Sequence, residues 1–425
     1  ADAPLAVDAR WERPLAAAGG EATLLVRIVA PAAPTAPTAR RAPVDVAFVV
    51  DRSGSMAGDK LALVKRAVDV AVALLRDEDR AALIVYDHAV ETLQRLDRAT
   101  PRTKAAIRLA LHGVDPGGST NLSGGWLAGC AELGGGMDDE SAVRVRRAIL
   151  LTDGHANVGI TDPGELTHHA TEIRRRGVGT TTLGVGLGFD EDLLGGLAEA
   201  GGGNFRYVAR ADQLRAFFAE ELQELLTVAA TGLTVTLTLP PGVRGRLVNA
   251  FPAERVAKTI TVAVGDVSAG DEVCLVFALT TRAGASGTRH PVQVRADWTA
   301  TAADERQTAA PALPELRLAD AATVAREPAD PLVAEQSAIQ RAAIERREAL
   351  RLDRQGRHAE SRARMGAAAG MLMAAPATDA VRLDLDSIRL LADADAPYDE
   401  HTHKRGHEDA LRRSRGKRDE RGGGR

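Results

Sequence analysis

Five oxygen-bearing side chains in three separate stretches could together hold a hard metal ion. Asp51, Ser53 and Ser55 are spaced two residues apart in D-R-S-G-S, Thr120 lies in G-G-S-T-N, and Asp153 lies in L-L-T-D-G. Two carboxylates and three hydroxyls, with no cysteine or histidine, suit a hard cation whose remaining ligands are waters. About six oxygens in octahedral geometry at roughly 2.0–2.1 Å would favour Mg²⁺, with Mn²⁺ or Ca²⁺ as substitutes. We refer to these five residues as the oxygen cluster.

The sequence around these residues predicts that they lie at one edge of a parallel sheet. Val46–Val50 is an unbroken apolar run, which is typical of a strand buried on both faces. The residues of D-R-S-G-S follow this strand, and Asp153 follows a second apolar run at 147–152. Open α/β sheets bind ligands at the carboxyl edge of their strands, so these loops can bring their side chains together. Thr120 lies in a glycine-containing loop that opens a predicted helix.

Residues 43–228 alternate between strand and helix patterns. Apolar residues recur at helical spacing in 60–76, between strands predicted at 46–50 and 81–86. Further strands are predicted at 91–93, 147–152, 180–186 and 204–208, and further helices after Pro101 and at 122–133, 166–176, 191–198 and 211–228. This alternation predicts an α/β domain with a doubly wound, mainly parallel sheet and helices on both faces.

From 229 to 305 the sequence changes to the pattern of an antiparallel sheet. The segment 231–240 alternates Thr with Leu or Val, and further strands are predicted at 259–264, 272–280 and 290–298. Gly, Pro and Asp turns separate them, which predicts an antiparallel β-sandwich. Residues 1–42 supply one predicted strand, at 22–30, and a Pro/Ala/Thr-rich linker. A single strand is not stable alone, so we expect it to join the sandwich. The α/β domain would then be an insertion in the sandwich.

The C-terminal part of the sequence predicts a connector and then helices. The connector, at about 301–325, is rich in Ala, Thr and Pro. The helical region at 326–395 contains helical stretches at 343–354 and 357–372, which break at Gln355-Gly356, and 381–391 could add a third helix. The first two stretches resemble one tetratricopeptide-type hairpin, although one hairpin is not a repeat array.

Residues 396–425 form a mixed-charge tail, and this composition predicts disorder. His401, His403 and His407 have a spacing that could bind a transition metal. We expect these histidines to be solvated instead, because the segment around them is highly charged.

Composition excludes several classes of function. The net charge of −4 over 425 residues argues against general nucleic-acid binding. Cys130 and Cys274 are the only cysteines, so no disulfide framework is indicated. No apolar stretch reaches about 18 residues, so we expect no membrane span. The first residues lack the pattern of a signal peptide, which favours the cytoplasm, although a signal already removed would reverse that expectation. The oligomeric state stays open.

The combined pattern resembles the von Willebrand factor type A domain and its metal-ion-dependent adhesion site. That family has D-x-S-x-S, a later Thr and a later Asp, which match Asp51, Ser53, Ser55, Thr120 and Asp153 over residues 43–228. The resemblance implies that the three hydroxyl residues bind the metal directly and that the two acids act mostly through waters. It also implies that an Asp or Glu of a partner protein completes the coordination. The flanking sandwich resembles, more loosely, bacterial homologues of calcium-activated chloride channel proteins and inter-α-trypsin inhibitor heavy chains.

Other interpretations of the same residues stay open at this point. Asp51, Ser53 and Ser55 could form a turn and a helix N-cap, since Asp and Ser are common in both. A regulatory subunit of an AAA+ ATPase assembly is the alternative function. We expect no enzyme activity, because the sequence has neither G-x-S-x-G nor G-x-x-x-x-G-K-[ST].

Residues close to the oxygen cluster in the sequence have expected roles of their own. We expect Asp87 and His88 to be an exposed loop pair, and Asn121 to cap a helix or support the metal ligands. His155 is expected to shape the rim of a docking site. Gly117 and Gly118 either give the loop flexibility or let its backbone approach the ion.

Overall fold

The structure is a computed structural model that describes residues 4–32, 42–134, 144–209, 211–282, 284–301, 305–309, 312–392, 398–415 and 417–418. The chain forms two compact units. One comprises residues 1–33, 232–299 and 306–425, and the other comprises residues 34–231 and 300–305. The second unit is therefore inserted in the chain of the first. Most of the Pro/Ala/Thr-rich linker lies outside the described residues.

The chain begins with three strands and then enters the inserted unit. The first three strands are β1 (Ala6–Trp11), β2 (Leu15–Ala17) and β3 (Glu21–Val29). The strands of the inserted unit are β4 (Val44–Asp51), β5 (Arg80–Tyr86), β6 (Val90–Arg98), β7 (Val145–Thr152), β8 (Val178–Val185) and β9 (Gly202–Val208). Its helices are α1 (Asp59–Leu74), α2 (Pro101–His112), α3 (Leu122–Gly134), α4 (Pro163–Arg175), α5 (Glu191–Ala200) and α6 (Ala211–Leu226).

The inserted unit contains the predicted doubly wound sheet. Its strand order is β6-β5-β4-β7-β8-β9, and only the edge strand β6 is antiparallel to its neighbour. Every residue of β4 is buried, as expected for a central strand covered on both faces. On one face, Phe48 and Val50 belong to a core that includes Val64 and Val68 of α1 and Phe218 of α6. The predicted α/β class is therefore confirmed.

On the other face, glycines let α3 lie unusually close to the sheet. A Cβ on Gly125 would lie 2.3 Å from the Tyr86 ring, and one on Gly129 would lie 2.4 Å from Val49 Cγ2. These distances are far below van der Waals contact, so both positions require glycine. The close packing fixes the helix that begins just after Thr120.

The other unit continues the chain with further strands, most of which are antiparallel to their neighbours. They are β10 (Val228–Thr238), β11 (Val243–Leu247), β12 (Ala253–Val256), β13 (Thr259–Ser268), β14 (Glu272–Thr281), β15 (Arg289–Pro291), β16 (Gln293–Ala300), β17 (Glu305–Thr308) and β18 (Glu315–Ala319). One sheet has the order β1-β3-β14-β11 and a second has β12-β13-β10-β16-β17. The N-terminal strand β3 pairs antiparallel with β14 along nine residues of register, from Glu272↔Val29 to Thr280↔Glu21. The prediction that this strand joins the later strands is confirmed, and face-to-face stacking of the two sheets stays a prediction.

The predicted connector at 301–325 is wrong. It contains the strands β17 and β18 and a short helix, α7 (Ala321–Arg326). β18 pairs in parallel with β2, and β15 pairs on its other side. Leu316 and Leu318 of β18 are buried, which gives this alternating segment its reason to form a strand. The alternation of apolar and polar residues in β18 is short, and the surrounding Ala, Thr and Pro residues are typical of a connector.

The C-terminal helices are α8 (Pro331–Arg354), α9 (His358–Met373), α10 (Asp379–Ala392) and α11 (Glu400–Ser414). The break between α8 and α9 falls at the predicted Gln355-Gly356, where Gly356 has φ +75°. Apolar residues from three helices form one cluster, which includes Ile339 of α8, Met365 of α9 and Ile388 of α10. The predicted three-helix region is confirmed.

The predicted disordered tail is wrong over residues 400–414. This segment is helix α11, capped by Asp399, and it packs on α8. His403, Lys404 and His407 are buried, so the solvated interpretation is wrong for His403 and His407, whereas His401 is exposed as expected. His403 Nε2 lies 3.0 Å from Asp353 Oδ2. The charged side chains form a helix because they have ionic partners on the neighbouring helices, which composition does not show.

Within the part of the chain that the structure describes, no helix combines the length and apolarity needed to cross a bilayer.

Candidate metal centre

The loop that leaves β4 places the first three residues of the oxygen cluster together. Asp51 is the last residue of the strand, and its Oδ1 accepts a hydrogen bond of 2.7 Å from the Ser53 backbone N–H. Gly54–Met56 forms one turn of 3₁₀ helix, with Ser53 at its N-cap, but the Ser53 side chain makes no capping hydrogen bond. Ser53 therefore occupies the N-cap position with its backbone, while its hydroxyl does not cap the helix and can bind another group.

Asp153 joins this loop from the end of the adjacent parallel strand β7. Ser55 Oγ donates a 2.7 Å hydrogen bond to Asp153 Oδ1, and Ser53 Oγ lies 3.2 Å from Ser55 Oγ. Ser53, Asp51 and Asp153 are each at most 2% exposed. The pairing of β4 with β7 brings residues about 100 positions apart in the chain within hydrogen-bonding distance.

Thr120 completes the oxygen cluster near Gly154. A Cβ on Gly154 would lie 3.4 Å from Thr120 Oγ1, 3.7 Å from Ser55 Oγ and 3.8 Å from Asp51 Oδ2. Three oxygens from two separate stretches thus lie near the same glycine, which directly follows Asp153 of the third stretch. The structure brings all five residues together, and their binding of a metal stays a prediction.

Asp51 is the most deeply buried carboxylate of the cluster, and a neighbouring hydroxyl supports it. Thr152 Oγ1 donates a 2.6 Å hydrogen bond to Asp51 Oδ2 and accepts one of 3.1 Å from the Gly154 N–H. Burial raises the pKa of the Asp51 carboxyl above its ordinary value, although the bonds from Thr152 and Ser53 act in the opposite direction. A cation at this place would favour the ionised carboxylate.

Asp87 positions the loop that carries Thr120. Its carboxylate accepts hydrogen bonds from the Ala89 N–H at 2.8 Å and the Gly118 N–H at 3.2 Å, and Arg52 Nε lies 3.4 Å away. Asp87 is only 3% exposed, so the prediction of an exposed Asp87–His88 pair is wrong for Asp87. A Cβ on Gly117 would lie 1.8 Å from Asp87 Oδ2, so glycine is required for this approach. The backbone of Gly117 thus makes room for an anchoring carboxylate.

A second loop holds Thr120 from the other side. Asn157 Oδ1 accepts a 2.8 Å hydrogen bond from the Thr120 N–H, and the N–H groups of Asn157 and Val158 both donate to Thr120 O at 3.2 Å. Asn121 Oδ1 accepts from the Gly124 N–H at 3.0 Å, which confirms that Asn121 caps a helix, α3. The backbone of Thr120 is therefore fixed by neighbours on both sides.

Three residues support the cluster in ways that the sequence did not predict: Lys60, Asp87 and Thr152. Lys60 Nζ pairs with Asp153 Oδ2, and its side chain is 36% exposed. Only Thr152 had a usable signal, because a polar residue at the end of a buried strand, next to Asp153, indicates a buried partner. His155, expected at the rim, is exposed.

The donor set fits a divalent cation bound by oxygen. The cluster offers two buried carboxylates and three hydroxyls within a few ångströms, and no nitrogen or sulfur ligand is among them. Ser55 uses its proton on Asp153, which leaves its oxygen lone pairs for a cation. Across the described ranges, no group of three or more His, Cys, Asp or Glu side chains could hold a metal ion, which includes the histidines of α11. The oxygen cluster is thus a better candidate than the histidines.

The mainly parallel sheet with helices on both faces defines a doubly wound α/β domain, and the acid–hydroxyl cluster lies at the carboxyl edge where such domains bind ligands. Residues 45–220 match the von Willebrand factor type A domain, and this part of the chain is such a domain. The predicted family resemblance is therefore confirmed.

Relatives with similar sequences support this assignment. The uncharacterized protein YfbK of Escherichia coli is 27% identical over 245 residues, which cover 56% of this chain and 41% of YfbK. Human inter-alpha-trypsin inhibitor heavy chain H3 is 31% identical over 192 residues, or 44% of this chain and 22% of H3. The chain thus spans less than half the length of either relative.

A solved structure matches almost the whole chain. The von Willebrand factor type A protein from Catenulispora acidiphila aligns with a TM-score of 0.78 and 18% sequence identity, covering 98% of this chain and 97% of that one. At this identity the match shows a common fold alone.

Proposed function

We propose that the oxygen cluster binds a divalent cation, preferably Mg²⁺ with Mn²⁺ or Ca²⁺ as substitutes, and that this ion accepts a carboxylate from a partner protein. The observation that carries the proposal is the convergence of the five side chains at the carboxyl edge of the sheet: oxygens of Asp51, Ser55 and Thr120 lie near Gly154, and Ser55 contacts Ser53 and Asp153. The bound cation would supply positive charge and an open coordination position. The protein would act as a metal-dependent docking module with no bond made or broken.

The residues of the cluster have different parts in this proposal. By the family resemblance, Ser53, Ser55 and Thr120 hold the ion through their hydroxyl oxygens. Asp51 and Asp153 orient ligand waters and supply the negative charge that attracts the cation. Both carboxylates are buried, so their charge acts in surroundings of lower dielectric than water.

The hydrogen bonds around the serines favour docking over hydrolysis. In the common hydrolase triad, a serine nucleophile uses a histidine base that is itself oriented by a third group. Here Ser53 lies beside Ser55, Ser55 donates to Asp153, and Asp153 pairs with Lys60, so the chain of contacts contains no histidine. The two serine hydroxyls lie side by side next to a carboxylate, an arrangement that suits the binding of one cation.

Metal titration by calorimetry tests the first half of the proposal. Mg²⁺ and Mn²⁺ would be titrated into the full chain, into Asp51→Ala and into Asp115→Ala. Asp115 is an exposed acid in the loop that leads to Thr120, so Asp115→Ala is a matched control for the lost charge. We expect Asp51→Ala to abolish the binding and Asp115→Ala to preserve it. Equal binding by the wild type and Asp51→Ala would contradict the proposal.

Capture of a partner tests the second half. The immobilised full chain would be incubated with cell extract in Mg²⁺ or in EDTA, with Asp51→Ala as a second control. We expect captured proteins that disappear with EDTA and with the variant. If the metal-dependent protein is an AAA+ ATPase, the regulatory-subunit alternative is favoured instead.

A further inference from the structure

A lysine lies where the proposed metal needs negative charge. Lys60 Nζ pairs with Asp153 Oδ2 and also lies 3.3 Å from the Ser55 backbone oxygen. The other oxygen of Asp153 accepts the hydrogen bond from Ser55. Both oxygens of this fully buried carboxylate are therefore occupied by groups of the chain itself.

The position of Lys60 needs a specific reason. Lys60 is the second residue of α1, and a helix N-terminus disfavours positive charge. The stem of Lys60 also passes over the backbone of Gly186, since a Cβ on Gly186 would lie 3.2 Å from Lys60 Cε. Compensation of the buried Asp153 charge explains why a lysine occupies this N-terminal position and why its side chain passes over Gly186. An unpaired buried carboxylate is strongly unfavourable.

We propose that Lys60 is a built-in competitor of the divalent cation for the charge of Asp153. Without the metal, the ammonium neutralises Asp153 and keeps the cluster compact. When the metal binds, its charge replaces that of the ammonium, and the flexible side chain turns toward solvent. This inference rests on the proposed metal site and assigns a regulating residue to it.

The competition should lower the metal affinity measurably. Removing Lys60 leaves Asp153 uncompensated in the free protein and removes a positive charge next to the ion. For a partly exposed ammonium and a buried carboxylate, we expect metal binding to tighten about tenfold. If Lys60 only stabilised the loop that contains Ser55, its removal would leave the metal affinity unchanged or lower it.

The test is calorimetric titration of MgCl₂ into the full chain with Lys60→Met, and with Arg66→Met as the control. Arg66 is an exposed cation on the same helix, six residues further on, so the control removes the same charge from the same element. We expect Lys60→Met to bind about tenfold more tightly than the wild type and Arg66→Met to bind within twofold of it. Lys60→Gln would replace Lys60→Met if thermal melting shows that the methionine variant does not fold.

The outcomes separate this inference from the proposed function. Equal or weaker binding by Lys60→Met, with normal binding by the wild type, would overturn the role of Lys60 alone. Binding by Lys60→Met but not by the wild type would support it. If neither protein bound the metal, both the metal site and the inference would be wrong.

Discussion

Replacement of Thr152 by valine isolates the hydroxyl that supports Asp51. The two side chains have nearly the same shape, so the change removes the 2.6 Å bond to Asp51 Oδ2 and the acceptor of the Gly154 N–H without opening a large cavity. A hydrogen bond to a buried charged group contributes about 1.5–3 kcal/mol. Thr152→Val should therefore destabilise the α/β unit in EDTA by about 1.5–3 kcal/mol.

The assay is urea unfolding followed by tryptophan fluorescence. Trp126 is the single tryptophan of the α/β unit, so Trp11→Phe and Trp298→Phe in the background make it the only reporter. Trp126 is buried, and its Nε1 donates to Thr180 Oγ1 at 3.1 Å, which makes its emission sensitive to unfolding. Thr152→Ser is the control, because it keeps the hydroxyl.

Metal affinity gives a second measurement on the same variant. Because Thr152 orients a member of the proposed site, its loss should weaken metal binding by about 10–100-fold. A stability within about 0.5 kcal/mol of the wild type would refute the importance of this bond. An equal loss in Thr152→Ser would show that side-chain packing, and not the hydroxyl, supports Asp51.

Two further predictions concern other parts of the chain. Gly125→Ala should destabilise the α/β unit by about 1–3 kcal/mol because the new methyl group would overlap the Tyr86 ring. Gly134→Ala in the same helix meets no atom within 4 Å and should be neutral or stabilising, so equal losses in the two variants would contradict the close-packing argument. The other prediction concerns Asp353, where burial acts to raise the pKa but the hydrogen bonds from His358, the Tyr398 backbone and His403 outweigh it, so the pKa is lowered. A lowered pKa in the folded protein adds stability above the unfolded value of 3.8, and that stability is lost as the pH falls through the folded value. Asp353→Asn should therefore be less stable than the wild type at pH 7, by a difference that shrinks below pH 3.8 in circular dichroism melts. A difference independent of pH would contradict this reasoning.

The oxygen cluster and the sheet could be predicted from sequence because each depends on a local pattern. The buried run before Asp51 defines a strand by its apolar residues alone, and parallel pairing then places the end of β7 beside it. The position of the Thr120 loop could be inferred from the predicted helix that begins directly after it. These features need only the rules of strand burial and the carboxyl-edge location of ligand sites.

The supporting roles of Asp87 and Lys60 could not be predicted because they depend on contacts between segments that are distant in the sequence. Asp87 follows a strand in a short turn, and only the fold shows that its carboxylate binds the Gly118 N–H 31 residues later. Lys60 looked like one more polar residue of an amphipathic helix. Helix α11 was missed for a related reason, since a mixed-charge composition predicts disorder unless ionic partners are known.

Helix α11 has a consequence for where the chain can be shortened. Its side chains pair with charged groups on the preceding helices: Asp353 contacts His403, Arg346 contacts Asp409, and Asp384 contacts Arg413. Asp353, Arg346 and Asp384 are each less than 10% exposed. A boundary drawn at residue 395 from composition would leave two acids and a guanidinium in poorly hydrated surroundings without these partners. An expression fragment of the helical region should therefore end after Ser414, because the segment that composition marks as expendable completes the electrostatics of the fold.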